Sequence, residues 1–231
     1  MNILVLIPAR SGSKSLPHKN ILPFRGKPML AWSIEHALQS KHRDQMRIVV
    51  STDSAKYARI ARDHGAEAPF LRPAAISADT STDLECFDHA VRTLRELEGY
   101  EADMLVHLRP TQPCRTTALL DDCLDMFIAA RGEYSSLRTV VPFSKSPFKM
   151  YTIAPGSPCL IPLHETVNGL SEPYNLGRQQ LPQAYLHNGY VDILNTSTLL
   201  QGSMTGDRIL SYVMTESDTV DIDTADDLER A

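Results

Sequence analysis

The run Ile3-Leu4-Val5-Leu6-Ile7 is followed at once by Pro8-Ala9-Arg10-Ser11-Gly12-Ser13-Lys14-Ser15 and, three residues later, by Lys19-Asn20. An unbroken apolar run that ends in a loop of small residues reads as a strand buried on both faces, and such strands belong to parallel sheets covered by helices on each side. This restricts the chain to an α/β architecture. The carboxyl end of the strand then carries Arg10, Lys14 and Lys19, at the edge where open α/β sheets bind ligands. Gly12 between two serines lets the backbone bend close to an anion, so the loop is expected to hold phosphates, with the three cations neutralising them. A basic surface turn is the alternative reading. The loop is neither a Walker A sequence nor a GxGxxG fingerprint, which removes support from P-loop hydrolysis and from hydride transfer.

The same rhythm continues along the chain. Pro28–Gln39 reads as a helix with Leu30, Ile34, Ala37 and Leu38 facing inward, and Arg47–Ser51 as a second strand. Thr52 or Asp53 is placed to cap a helix that runs to about His64 and stops at Gly65. Ala66–Leu71 suggests a short strand, Arg72–Asp79 a loop, and Ser81 or Thr82 the cap of a helix ending near Leu97. Met104–Leu108 is the next strand, with Thr116 or Thr117 opening a helix to about Ala130. Beyond Tyr134, strands are expected at Ser136–Val141, Phe148–Ile153, Ala184–Leu194 and Ile209–Val213, and a final helix after Val220-Asp221-Ile222-Asp223-Thr224. Between about 143 and 183 repeated prolines break the pattern while Phe, Met, Tyr and Leu persist, so this stretch reads as an excursion from the sheet and not as a linker.

A chain of 231 residues suits one domain over 1–231 with an inserted lobe at 143–183. Its net charge of −5 gives no general attraction to nucleic acid, so an anion must be met by a local cluster of cations and the expected partner is a small molecule. Cys86, Cys114, Cys123 and Cys159 form no CxxC pair and read as buried free thiols. The apolar start is too short for a signal or membrane segment, and cytoplasmic residence is the default expectation. Asp221 and Asp223, two residues apart on an extended segment, can point the same way and hold a hard Mg2+ ion together with phosphate oxygens. Helix capping is the plainer use of the pair. Arg72, Arg109 and Arg115 follow other strands as phosphate contacts or as solvated side chains, and His187 is the one histidine expected near a substrate.

Taken together, the loop Ile7–Lys14 with Lys19-Asn20, Ser51-Thr52-Asp53, Arg72-Pro73, Pro110–Arg115, Arg178-Gln179-Gln180-Leu181-Pro182, Asn188-Gly189 and Asp221-Ile222-Asp223-Thr224 resemble the CMP-sialic acid synthetases, or acylneuraminate cytidylyltransferases. The resemblance implies a Rossmann-like nucleotidyltransferase sheet with helices on both faces and a small dimerisation excursion. It implies a Mg2+-dependent enzyme that joins CTP to an acidic nine-carbon sugar, giving a CMP-sugar and pyrophosphate, in a homodimer or tetramer whose 143–183 lobe reaches over the partner's site. It assigns Arg10, Gly12, Ser13, Lys14, Lys19, Asn20, Arg72, Ser81 and Thr82 to the nucleotide, and Arg109, Lys149, Arg178, Asn188 and Asp192 to the sugar. Asp221 and Asp223 become the metal ligands, and these two with Arg10, Lys14 and Lys19 the catalytic set.

Two positions depart from the family pattern. Arg109 stands where the family has glutamine, and Asp192 where it has an aromatic residue. Either the two form a compensating pair that reshapes the sugar end of the cleft, or Asp192 bonds a sugar hydroxyl. A nucleotidyltransferase acting on a sugar 1-phosphate or an eight-carbon keto acid, with CTP or another NTP, and a nucleotide-sugar binding protein remain the alternatives.

Overall fold

The computed structural model of the protein describes residues 1–14, 16–215 and 220–230. Its centre is a six-stranded sheet built from β1 (Ile3–Pro8), β2 (Met46–Ser51), β3 (Met104–His107), β4 (Ser136–Phe143), β5 (Ala184–Asn195) and β6 (Ile209–Val213), in the order β6-β4-β5-β3-β1-β2. β1 pairs in parallel with β2 and β3, and β6 with β4, while β5 runs antiparallel to both β3 and β4. The sheet is therefore mixed, and β5 alone opposes the other five strands.

The residues of β1 divide between the two faces by their period of two. Ile3, Val5 and Ile7 enter one cluster, with Leu30, Ile34 and Ala37 of α1 (Met29–Leu38), Tyr57 and Ala61 of α2 (Ala55–Asp63), and Leu120, Leu124 and Phe127 of α4 (Thr117–Ala129). Leu4 and Leu6 enter the other, with Phe87, Ala90 and Leu94 of α3 (Asp83–Glu98) and Leu199 of α5 (Thr196–Leu200). All five apolar residues of the opening run are fully buried, as a strand sandwiched between helix layers must be.

Local signals set several boundaries. Thr82 caps α3 in a reciprocal box with Glu85, and Gly99 ends it in the left-handed region. Thr116 caps α4. Pro28 lies one residue outside α1 and serves as its N-cap position. Ser54 caps α2, displacing the expected Thr52 or Asp53. The expected strand at Ala66–Leu71 is reduced to a single bridge between Val49 and Glu67.

The excursion between β4 and β5 carries short two-stranded pieces, Tyr151–Ile153 with Leu160–Pro162 and Thr166–Val167 with Leu170–Ser171. Phe148 falls in a 3-10 turn ahead of the first of these. The last described helix, α6, spans Ala225–Arg230. Cys86 and Cys123 are buried, but Cys114 is half-buried and Cys159 exposed, because the latter sits in the excursion, outside both cores. Among the described residues no helix is long and apolar enough to cross a membrane.

Candidate active site

A cleft of about 210 Å3 opens at the carboxyl ends of β1 and β3, lined by residues from the loop after β1, the loop before α3 and the turn after β3. Arg10, Ser13, Lys19, Asn20, Arg72, Ser81, Thr82 and Arg109 all line it, so most of the nucleotide set named from sequence converges on one place.

The loop after β1 is held from behind. Ser11 donates from its backbone N–H (2.7 Å) and its hydroxyl (2.8 Å) to the two oxygens of Asp53, and Asn20 donates to the Arg10 carbonyl at 2.9 Å. Asp53 thus braces the loop in place of capping a helix. Gly12 has neither a positive φ nor a neighbour within 4 Å of where a Cβ would stand, so the bend does not depend on its conformational freedom.

The cations of the rim are held by carboxylates. Arg10 Nη1 and Lys14 Nζ each lie 2.5 Å from an oxygen of Asp79, whose carboxyl is kept below the usual range by the hydrogen bonds from Lys14 and Arg10. Lys19 Nζ lies 2.5 Å from Asp223 Oδ1. Arg72 is different. It is buried, and its Nε and Nη2 have no hydrogen-bond partner among the described residues. Two buried guanidinium nitrogens without acceptors in a cleft wall are a costly feature that an anion would relieve.

The Asp221–Asp223 segment reaches the cleft from the far end of the chain. Ile222 is fully buried, its N–H donates to the Thr111 carbonyl at 3.0 Å, and the Tyr190 hydroxyl bonds the backbone of Val220. With Ile222 turned inward, the carboxylates on either side of it lie together at the surface. Partial desolvation, and then the charge of Asp223, raise the Asp221 carboxyl above its usual range. Among the described residues no three His, Cys, Asp or Glu side chains gather to hold a metal by themselves. Mg2+, however, is held by one or two carboxylates together with substrate phosphates and water, and a carboxylate pair that resists its own charge fits that use.

At the other end of the cleft, Arg109 Nη1 donates to Asp192 Oδ2 at 2.7 Å and to the Gly189 carbonyl at 3.1 Å. His187 Nε2 lies 2.7 Å from Asp192 Oδ1. Each carboxylate oxygen of Asp192 is therefore engaged by a protein group, which is the geometry of the compensating pair. Burial opposes the charge on Asp192, but the His187 hydrogen bond and the nearby Arg109 hold its carboxyl well below the usual range. A register shift in β5 between His187 and Asp192 makes the cluster possible. Gly189 within it has φ +71°, a conformation that favours glycine, and a Cβ there would come within 3.1 Å of Arg109 Nη1 and press on the pair.

The remaining sugar-side residues do not line this cleft. Asn188 donates to the Met214 sulfur at 3.2 Å, and Lys149 and Arg178 are exposed on the excursion. Arg115 is neither a phosphate contact nor solvated. It is buried, donating to the carbonyls of Tyr190 (2.5 Å) and Arg109 (3.1 Å), and burial, then the charge of Arg109, lower its pKa to about 9. Asp83 and His107 line the cleft and Asp79 pairs with its rim cations, and pattern reading gave none of the three to the site; Asp53 it gave as a cap candidate. His107 ends β3, and its place at a strand's carboxyl end was the one available signal.

Comparison with known proteins places the chain among relatives. The sequence profile of a family described as "Cytidylyltransferase" matches residues 4–150. The chain is 30% identical, over 99% of its length, to the N-acylneuraminate cytidylyltransferase of Escherichia coli O18:K1:H7, of which it spans 51%. It is also 30% identical, over 96% of its length and 90% of the relative's, to the post-translational flagellin modification protein B of Campylobacter coli. The chain thus spans about half the length of the E. coli relative. Among solved structures, a CMP:2-keto-3-deoxy-manno-octonic acid synthetase complexed with CTP superposes with a TM-score of 0.68 at 19% identity, covering 100% of this chain and 96% of that one, a likeness of fold. The profile match and the similarity along nearly the whole of this chain mean that the chain belongs to the cytidylyltransferase family.

Proposed function

We propose that the protein transfers CMP from CTP to an acidic, sialic-acid-like nonulosonic sugar, releasing pyrophosphate. The observation that carries this reading is the meeting of Arg10, Lys19 and Arg72, whose Nε and Nη2 lack acceptors among the described residues, in one cleft wall with the Asp221–Asp223 segment, tied there through Lys19 and Thr111. A triphosphate is the ligand that such a mixture of cations and paired carboxylates suits. Arg10 and Lys14 leave Asp79 for phosphate oxygens, Lys19 leaves Asp223, and Arg72 gains its missing acceptors. The sugar hydroxyl attacks the α-phosphorus, its O–P bond forms as the bond to the β-phosphate oxygen breaks, and the hydroxyl proton passes to solvent. Asp221 and Asp223 would hold Mg2+, which supplies charge neutralisation for the triphosphate and the departing pyrophosphate.

The 143–183 excursion is proposed as a homodimerisation lobe that carries Lys149 and Arg178 to the partner's cleft. In support, Ile153, Leu160, Ile161 and Leu163 are all exposed on its first two-stranded piece and the turn that follows.

Pyrophosphate release with CTP, UTP, GTP and ATP, each offered nonulosonic acids, an eight-carbon keto acid and sugar 1-phosphates with and without Mg2+, tests the reading. Turnover is expected with CTP, a sugar acid and Mg2+, and Asp221→Asn with Asp223→Asn lowers it by about 100-fold or more with folding retained. Turnover undiminished in that double variant would remove the metal assignment. Absence of turnover with every nucleotide would sink the activity.

A further inference from the structure

His107 is 1% exposed at the end of β3, and its ring packs edge-on against Phe87 with centroids 4.9 Å apart. Its Nδ1 has no hydrogen-bond partner among the described residues. The nearest carboxylate oxygens, Asp192 Oδ2 and Asp83 Oδ2, stand 3.8 and 3.9 Å away, too far for a hydrogen bond. His107 and Asp83 both line the cleft. A buried polar atom left unmade in a folded chain calls for an explanation, and in a cleft wall the natural one is a ligand atom.

The surroundings select the kind of atom. Burial and then the charge of Arg109 lower the His107 pKa to about 3, so the imidazole is neutral and Nδ1 offers either one lone pair or one N–H. Two carboxylates, Asp83 and Asp192, stand near it and disfavour an anionic oxygen, while Arg109 disfavours a cation. A hydroxyl, able to donate to Asp83 and to exchange a hydrogen bond with Nδ1, matches both. The Arg109 guanidinium stands beside this pair of residues, and its Nη2 reaches Asp83 only at 3.4 Å. That long contact is the one an entering hydroxyl would replace, while the 2.7 Å bond to Asp192 keeps Arg109 in place.

We infer that His107 and Asp83 form a hydroxyl-reading subsite in the cleft floor that selects for an alcohol of the bound polyol, either the ribose of the nucleotide or the acceptor sugar. The inference rests on the cytidylyltransferase reading. His107 and Asp83 are then specificity-determining residues of that reaction, acting on a group that takes no part in bond making.

The test compares kcat/KM for CTP against 2′-deoxyCTP and 3′-deoxyCTP, and for the acceptor against its single-deoxy analogues, in the wild type, His107→Leu and Asp83→Ala. The wild type is expected to prefer one hydroxylated ligand over its deoxy analogue by about 100-fold, because a buried group built to bond a hydroxyl is left unpaired without it. Each variant lowers that ratio at least tenfold by losing efficiency on the hydroxylated ligand alone, and His107→Asn restores part of it. A ratio that falls in the nucleotide pair assigns the ribose, and one that falls in the acceptor pair assigns the sugar. Asp83 lies at the surface, so its variant keeps the test open should His107→Leu fail to fold. A wild type that turns over CTP with flat ratios, or variants that lose the same factor on every ligand, overturns the subsite and leaves the activity standing. A wild type with no turnover defeats the underlying reading instead.

Discussion

The two ends of the cleft are charged in different ways. At the rim, Arg10 and Lys14 meet Asp79 on loops, with the Lys14 side chain 86% exposed. At the floor, Arg109, Asp192 and His187 stand on or beside strands, with the Asp192 side chain 7% exposed and each of its oxygens fixed by a separate donor. The rim is an exchangeable set of charges, suited to a ligand that brings its own anions. The floor is a prepaired set whose members depend on one another, suited to a shape that has to stay the same before and after binding.

Removing one member of the floor is the most direct way to break this contrast. Arg109→Leu leaves Asp192 buried with only His187 as partner and is expected to destabilise the fold by about 3 kcal/mol, the low end for a broken buried pair because the Arg109 side chain is a quarter exposed. Asp192→Asn added to that variant then has a much smaller effect than Asp192→Asn alone. Urea unfolding of the four proteins measures the coupling, and additive losses would mean that the floor is not a unit.

The second test uses pH. His107 is held neutral with a pKa of about 3, so between that value and the unfolded value near 6.5 the unfolded chain binds a proton that the native one refuses. Its contribution is complete above pH 6.5 and is lost as pH falls, by about 2 kcal/mol on going from pH 7 to pH 5. His36, also lowered to about 3 by burial and then by Arg115, adds a similar loss. Unfolding free energy should therefore drop between these pH values, and by less in His107→Asn. Asp192 runs in the same direction at lower pH, since its depressed carboxyl stabilises above the unfolded pKa and loses that contribution only in acid.

The smallest effect belongs to the rim. Asp79→Asn should leave the melting temperature unchanged, because an exposed pair contributes little to stability. The variant instead frees Arg10 and Lys14 for phosphate, so the KM for CTP falls by about two- to threefold at low salt and converges with the wild type as salt rises. A raised KM would make Asp79 a positioning residue and remove the contrast between the two ends.

Much of the fold was legible because the signals were local. The apolar run of β1, the cap of α3 at Thr82, one of the two candidates, and β6 at Ile209–Val213 each lie within a few residues, and each stands where the pattern puts it. The reversal of β5 was not legible, since alternation and β-propensity are the same for a strand read in either direction. The excursion after β4 takes the place of a crossover helix, and it returns the chain from the same edge of the sheet. The site divides along the same line. Arg10, Lys19, Asn20 and Arg72 carry a motif, whereas the bracing of Ser11 by Asp53 spans 42 positions and the Arg109–Asp192 bond spans 83. The residue types at these positions are visible in the sequence, but their partners are not.

The sequence by itself determined the layered α/β architecture, the cationic loop at the end of the first strand and the acidic pair near position 222, because each is a short-range pattern of burial, turn chemistry or charge. Only the tertiary structure decided which charges are paired to the protein and which are left for a ligand. Arg115 and Arg72 show this, being the same residue type and both buried, yet one is tied to backbone carbonyls and the other has Nε and Nη2 unsatisfied in the cleft wall. A hydrogen bond forms or fails over a few tenths of an ångström, and that separation is set by how strands far apart in the chain come to lie side by side.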